Sequence, residues 1–350
     1  MKRDSNIELL RIIAMLFILL HHLIVHAVYP DVMIGKNGAN TEYFVYSILN
    51  GFFYVAVNLF VLISGYFGIR LRAKRIWSLY LQCGFYGLLT YLFGVMVGNV
   101  PFVPHTIITK SLLIFSHLSS WWFVVCYLIL MVISPFLNYA IKQMEKKEYL
   151  WVLACFTFVQ MYLGWFWQKE AYDTSGYSYL NFIYIYLIGG YMHRFVCENK
   201  PSSKRPIELW LYLGCALLFG ICNIARIYFK IPFGSLWAYN NPIIVIGAVG
   251  LFLFVRSFDI QSNIINKLGE GVFAAYLITD IGYVGDLLYP AYGEFVHSIP
   301  SIILRIFITF ITATVTLLVA CIIDIIRARI MKPVIGAFDW IDNKILKKSE

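Results

Sequence analysis

Ten apolar stretches separated by short polar segments divide the chain almost from end to end. Each has about the 20 residues that an α-helix needs to cross the hydrocarbon core of a bilayer. The stretches are residues 7–28, 44–67, 76–97, 121–141, 149–167, 178–196, 208–225, 236–255, 271–289 and 301–326. The ninth is the weakest, because Asp280 and Asp286 interrupt it. The pattern predicts an all-α, polytopic membrane bundle of about ten transmembrane helices.

The distribution of Lys and Arg predicts an orientation for this bundle. With the N-terminus in the cytoplasm, 21 of these residues fall in inner loops and terminal segments. The outer loops hold only five, which are Lys36, Lys110, Lys169, Arg226 and Lys230. Arg11 and Arg305 lie inside spans. Because cytoplasmic loops of membrane proteins are enriched in Lys and Arg, we expect both termini to be cytoplasmic.

The overall composition agrees with a membrane protein of one domain. The chain is 60% hydrophobic and 13% charged, whereas about a quarter of a soluble domain is charged. The net charge of +9 follows from the basic inner loops and does not indicate nucleic-acid binding. The seven cysteines form no CxxC pair, so we expect neither disulfides nor a metal site. We interpret residues 1–350 as a single membrane domain without a fused soluble domain.

The first stretch contains ionisable residues at depths where they are costly. The sequence Ser5-Asn6-Ile7-Glu8 fits a capping box, which predicts that the helix begins near Ser5. Arg11 follows within about two turns, and His21 and His22 lie near the middle of the span. Such groups usually face the interior of a bundle or a wet cavity.

Helix geometry separates the two adjacent histidines. His22 is 11 residues beyond Arg11, which places it within about 20° of Arg11 and about 16 Å further along the axis. His21 points about 80° away from Arg11. The shared face of Arg11 and His22 suits a site that receives an anionic donor from the cytoplasm. Two structural alternatives are that Arg11 extends to lipid headgroups and that His22 is bonded to a neighbouring helix.

The second stretch ends in a segment from Asn58 through Ser64-Gly65-Tyr66, and a basic inner segment follows it. A Ser-Gly pair lets another helix or a ligand approach closely. The basic residues are Arg70, Arg72, Lys74 and Arg75. Either they only fix the topology, or they bind the phosphates of a soluble donor.

Together these residues resemble the acyltransferase 3 family, integral-membrane enzymes that O-acylate cell-surface carbohydrates. The first landmark is a first-span Arg followed 11 residues later by His, here Arg11 and His22. The second is Ser64-Gly65-Tyr66 with basic residues after it, and the third is Trp122-Phe123 opening a span that reaches Pro135. The fourth, an aromatic-Leu-Ile-His stretch, departs from the pattern, because this chain has Tyr276-Leu277-Ile278-Thr279-Asp280.

The resemblance implies a multi-pass enzyme of a bacterial-type plasma membrane that uses acetyl-CoA as its donor and no metal. Its acceptor would be a hydroxyl of an envelope glycan or a lipid-linked sugar. A hydroxyl needs a base, and histidine suits that role at neutral pH. His22 is the candidate base or a transient acyl carrier, and Arg11 would hold coenzyme A phosphate or orient His22. The candidate substrate-binding residues are Asn58, Ser64, Gly65, Tyr66, Arg70, Arg72, Arg75 and Trp122.

Two other functions compete with this interpretation. In a glycolipid or polysaccharide flippase or transporter, Arg11 and His22 would only line a polar path. A glycan polymerase or ligase usually has large basic outer loops, which this chain lacks. Asp280 could take over the role of the missing histidine at Thr279, and His117 is another possible base. The identity of the acceptor stays open.

Overall fold

The computed structural model describes residues 4–28, 41–111, 121–168, 173, 175–197, 206–229, 236–280 and 282–346. Lys36, Lys169, Lys230 and His117 lie outside these ranges. All regular elements within them are helical. The helices are α1 (Ser5–Leu23, continued by a π-helical turn Ile24–Val28), α2 (Thr41–Phe53), α3 (Ala56–Phe67), α4 (Ala73–Met96), α5 (Pro104–Ser111), α6 (Trp122–Gln143), α7 (Lys146–Thr157, continued by π-helix Phe158–Phe166), α8 (Tyr179–Tyr191, continued by π-helix Met192–Val196), α9 (Pro206–Tyr228), α10 (Pro242–Arg256), α11 (Asn263–Gly271), α12 (Phe273–Thr279), α13 (Gly282–His297) and α14 (Ile302–Leu346).

The predicted helical membrane bundle is confirmed, although the number of spans is not. Every predicted apolar stretch overlaps a helix. In the described part of the chain, seven helical segments are long and apolar enough to cross a membrane. An eighth arises if Asn263–Thr279 and Tyr283–His297 form one span, bent by 83°. The break between the two segments includes Asp280, one of the two residues that interrupt the ninth stretch. Ten spans and cytoplasmic termini therefore stay predictions.

Helix α1 lies at the centre of the bundle, where it packs against α2, α3, α10, α11, α12 and α14. It begins at Ser5 as expected, but the predicted capping box is wrong. The side chain of Asp4 caps the helix by accepting from the backbone N–H of Asn6 at 3.2 Å. Ser5 instead bonds to the backbone of Ser262, and Glu8 pairs with Arg11. Contacts with α11 and with Arg11 thus replaced the local bonds of the box.

Glycines bring α3 and α8 into close contact. A Cβ atom added at Gly65 would lie 2.1 Å from the carbonyl oxygen of Tyr186, and one at Gly189 would lie 2.5 Å from that of Leu62. No side chain fits at these distances, so both positions require glycine. The Ser64-Gly65 pair therefore has a definite packing role through its second residue.

Candidate active site

A vestibule opens at the end of the bundle that carries Arg70, Arg72 and Arg75, which we call the basic end. It consists of two adjoining cavities of about 850 and 800 Å³. Arg11, Ser64 and Tyr127 line both of them. The first also contacts the loop between α3 and α4, and the second contacts the start of α12.

The basic residues are not equivalent in this vestibule. Arg11 donates from Nη1 to Glu8 Oε1 at 2.7 Å, yet 34% of its side chain stays exposed. Arg70 and Arg75 line the first cavity and are exposed, whereas Arg72 lines neither part of the vestibule. Three guanidinium groups at a wide, hydrated opening suit the phosphates of a large anionic ligand.

The candidate residues of α3 point to different places. Ser64 donates to the carbonyl oxygen of Phe60 at 2.9 Å and lies 3.2 Å from the Tyr127 hydroxyl, so it lines the vestibule. Gly65 and Tyr66 line neither part of the vestibule but a third cavity of about 950 Å³, which shares Phe67, Gly68 and Arg70 with the first part. Asn58 is buried and donates to the carbonyl oxygen of Tyr239 at 2.8 Å. Among these candidates, only Ser64 faces the vestibule.

A second, smaller space lies deeper in the bundle, and we call it the histidine cavity. Its volume is about 510 Å³, part of which is open to solvent. Helix α1 contributes Met15, Ile18, His21 and His22 to its wall. The remaining wall is mainly aromatic and consists of Phe53, Tyr54, Ala56, Val57, Phe60, Trp122, Phe123, Tyr239, Phe273 and Tyr276.

Both histidines line this cavity, but at Nδ1 only His21 has a polar partner among the described residues. His21 Nδ1 lies 3.1 Å from Asn50 Oδ1, and its ring packs against Tyr54 and Trp237. His22 Nδ1 is buried and has no hydrogen-bond partner among the described residues. Its ring centroid lies 5.9 Å from that of His21 and 6.5 Å from that of Tyr276. The sequence ranked His22 above His21 by helix phase, and it gave no reason to select Asn50.

Three phenylalanines stand between the vestibule and the histidine cavity. Phe60, Phe123 and Phe273 line both spaces. The Phe123 ring centroid lies 6.3 Å from that of Phe60 and 6.2 Å from that of Phe273. These three rings, which we call the phenylalanine constriction, separate the arginines of the basic end from the histidines. Arg11 and His22 thus lie on opposite sides of it, on one face of α1.

The other two landmarks also reach the histidine cavity. Trp122 lines it and stacks on Tyr239 at a centroid distance of 5.6 Å. From the C-terminal landmark, Tyr276 lines the cavity, whereas Thr279 is buried and donates to the carbonyl oxygen of Ala275. Among the described residues, Asp280 Oδ2 and the Tyr276 hydroxyl are both buried without a hydrogen-bond partner. Across the described ranges, no three His, Cys, Asp or Glu side chains converge as a metal site requires.

Residues 4–324 match the family model of the acyltransferase 3 domain, described as an acyltransferase domain. The chain belongs to the acyltransferase 3 family. The match covers nearly the whole sequence and spans the positions of all four landmarks, including the one that departs from the pattern at Thr279. No curated protein and no solved structure matches the chain significantly.

Membership in the acyltransferase 3 family supports acyl transfer as the reaction class. The site combines candidate residues that the sequence indicated, Arg11, His22, Ser64 and Trp122, with others that the sequence analysis named without assigning them a role, His21, Phe123 and Tyr276. The residues that it did not select are Asn50, Phe60 and Phe273. Aromatic residues are so frequent in this chain that sequence alone could not single out those that line the cavity.

Proposed function

We propose that this membrane acyltransferase moves an acyl group, which we take to be acetyl, from cytoplasmic acyl-CoA to a hydroxyl of an envelope or exported polysaccharide or its lipid-linked precursor. The observation that carries the proposal is the order of groups along α1. Arginines line the wide vestibule at the basic end, the phenylalanine constriction follows, and two histidines line the smaller cavity beyond it. We take the membrane to be a bacterial plasma membrane, with the basic end in the cytoplasm.

The vestibule and the region from the phenylalanine constriction to the histidine cavity suit the two parts of an acyl-CoA thioester. The nucleotide end carries phosphates, which Arg11, Arg70 and Arg75 would bind at the vestibule. The pantetheine arm is uncharged and extended, and it would cross the constriction beside Ser64 and Phe123. The rise of about 16 Å between Arg11 and His22 is of the order of that arm. The small volume of the histidine cavity supports a short acyl group.

His22 is the candidate for the chemical step, either as the base for the acceptor hydroxyl or as a transient acyl carrier. Arg11 is separated from it by three helical turns, so we assign Arg11 to the donor. The mainly aromatic wall of the cavity would also limit access of bulk water, which reduces loss of the acyl group by hydrolysis.

The test is release of coenzyme A by the purified protein. We expect free thiol to appear when acetyl-CoA is supplied together with glycan isolated from a strain lacking this gene, and an equal amount of acetyl to appear on the glycan. A flippase or transporter whose polar path merely contains Arg11 and His22 would release no coenzyme A.

A further inference from the structure

His21 and Asn50 form a bonded pair in the wall of the histidine cavity. Asn50 lies in the last part of α2 and is fully buried. Its Oδ1 atom is 3.1 Å from His21 Nδ1. Because an amide oxygen only accepts hydrogen bonds, the contact requires the His21 proton to be on Nδ1. Tyr54 and Trp237 pack on the same ring at centroid distances of 5.1 and 5.9 Å. The tautomer and the orientation of His21 are thus both determined by its neighbours.

This arrangement leaves Nε2 of His21 as the basic nitrogen. In the described part of the chain, Nε2 makes no hydrogen bond, and the ring that carries it lines the cavity. A base whose second nitrogen is held by a third group is a recurring feature of acyl-transfer sites. His22 has no such partner at Nδ1, but it lies on the face of α1 that also carries Arg11. His22 is therefore better placed to meet the donor, and His21 is better prepared to remove a proton.

We propose that the two histidines have different roles in the reaction, an inference that rests on the proposed function. His22 carries the acyl group, and His21, held by Asn50, is the general base for the acceptor hydroxyl. Asn50 is a positioning residue, because it acts only through His21. The ring centroids of His21 and His22 are 5.9 Å apart and both rings line the same cavity, so a hydroxyl oxygen in that cavity can bond to one ring and attack an acyl group on the other.

The acyl group moves in two steps, first from the thioester to His22 and then from His22 to the acceptor oxygen. His22 Nε2 attacks the thioester carbon, the C–S bond breaks, and the electron pair leaves on the coenzyme A thiolate, while His22 becomes a cationic acylimidazole. The acceptor oxygen then attacks the acyl carbon as its proton passes to His21 Nε2. The N–C bond breaks and returns its electron pair to His22. His21 finally loses its proton, which neutralises the thiolate, so thioester and alcohol have become ester and thiol.

The test compares Asn50→Leu, Asn50→Asp and a matched control, Asn223→Leu. Asn223 on α9 is also fully buried and bonds to Tyr43 and Ser47 on the same helix as Asn50, but it does not line the cavity. Each protein is given acetyl-CoA labelled in the acetyl group, and protein-bound label is measured before and after addition of glycan from a strain lacking the gene.

We expect Asn50→Leu to retain hydroxylamine-sensitive label and to transfer it about 10²-fold more slowly, in the range for loss of a general base. Asn50→Asp keeps an acceptor for Nδ1–H and should recover most of the rate, and Asn223→Leu should transfer like wild type. Label should be absent from His22→Ala.

Several outcomes would overturn this division. They are wild-type transfer rates in Asn50→Leu, an Asn50→Asp variant no better than Asn50→Leu, equal losses in Asn50→Leu and Asn223→Leu, and label that is absent from wild type or independent of His22. A wild-type protein that releases no coenzyme A at all would instead refute the proposed function itself.

Discussion

The vestibule and the histidine cavity differ in nearly every physical property, although one helix lines both. The vestibule is wide, open at the basic end and lined by partly exposed arginines. The histidine cavity is smaller and mostly aromatic, and its histidines lie beyond the phenylalanine constriction. Charged groups on a ligand are easily accommodated near water, whereas proton transfer and an unstable acyl group benefit from its exclusion. The comparison suggests that binding and chemistry are separated along α1.

The largest effect should follow from removal of His22. We expect His22→Ala to lower acetyl transfer by at least about 10³-fold, within the range for acid–base catalysis, while binding of acetyl-CoA at the vestibule is retained. The measurements are coenzyme A release and equilibrium binding of labelled acetyl-CoA. His105→Ala, at an exposed position of α5, is the control. Loss of donor binding in His22→Ala would contradict the separation of the two regions.

A smaller effect is expected at Arg11. Arg11→Lys keeps the charge but loses the planar fork that binds phosphate through two hydrogen bonds. Loss of one charged hydrogen bond is worth about 1.5–3 kcal/mol, so kcat/KM for acetyl-CoA should fall roughly 10- to 100-fold at unchanged abundance in the membrane. Near-normal kcat/KM would reduce Arg11 to a membrane anchor.

The prediction for Gly65 differs from those for His22 and Arg11, because Gly65→Ala should lower the stability of the protein rather than catalysis or donor binding. The added methyl group of Gly65→Ala would clash with the backbone of Tyr186, and such overpacking costs about 1–3 kcal/mol. We expect less folded protein and a lower melting temperature in detergent. Gly214→Ala is the matched control, since nothing lies within 4 Å of its added Cβ atom. A stable Gly65→Ala variant that fails only in donor binding would instead indicate that Gly65 contacts the donor.

The smallest effect should appear at the exposed rim of the vestibule. Arg75→Gln is expected to raise KM for acetyl-CoA a few-fold without changing kcat, and added salt should diminish the difference because exposed charges are screened. Arg329→Gln, an exposed arginine of α14 that lines none of these cavities, serves as the control. A change in kcat rather than in KM would place Arg75 in the chemical step.

The sequence predicted those features that depend on neighbours along the chain. The apolar stretches predicted the helices, and the 11-residue spacing predicted that Arg11 and His22 share one face. The same reasoning missed Asn50, because its bond to His21 joins two helices at a separation of 29 residues. It also could not assign Gly65 to packing, since the atom that excludes a side chain there belongs to Tyr186 on α8. The capping box failed for the same reason, as Ser5 is bonded to Ser262.

Comparison of glycans by NMR is the most direct test of whether this protein acetylates a polysaccharide through His22. A strain lacking the gene would be complemented with wild type or with His22→Ala, at equal abundance of the two proteins in the membrane. We expect O-acetyl signals on the envelope or exported polysaccharide with the wild-type gene, and no such signals in the deletion strain or with His22→Ala. Glycans that are equally acetylated in all three strains would contradict it.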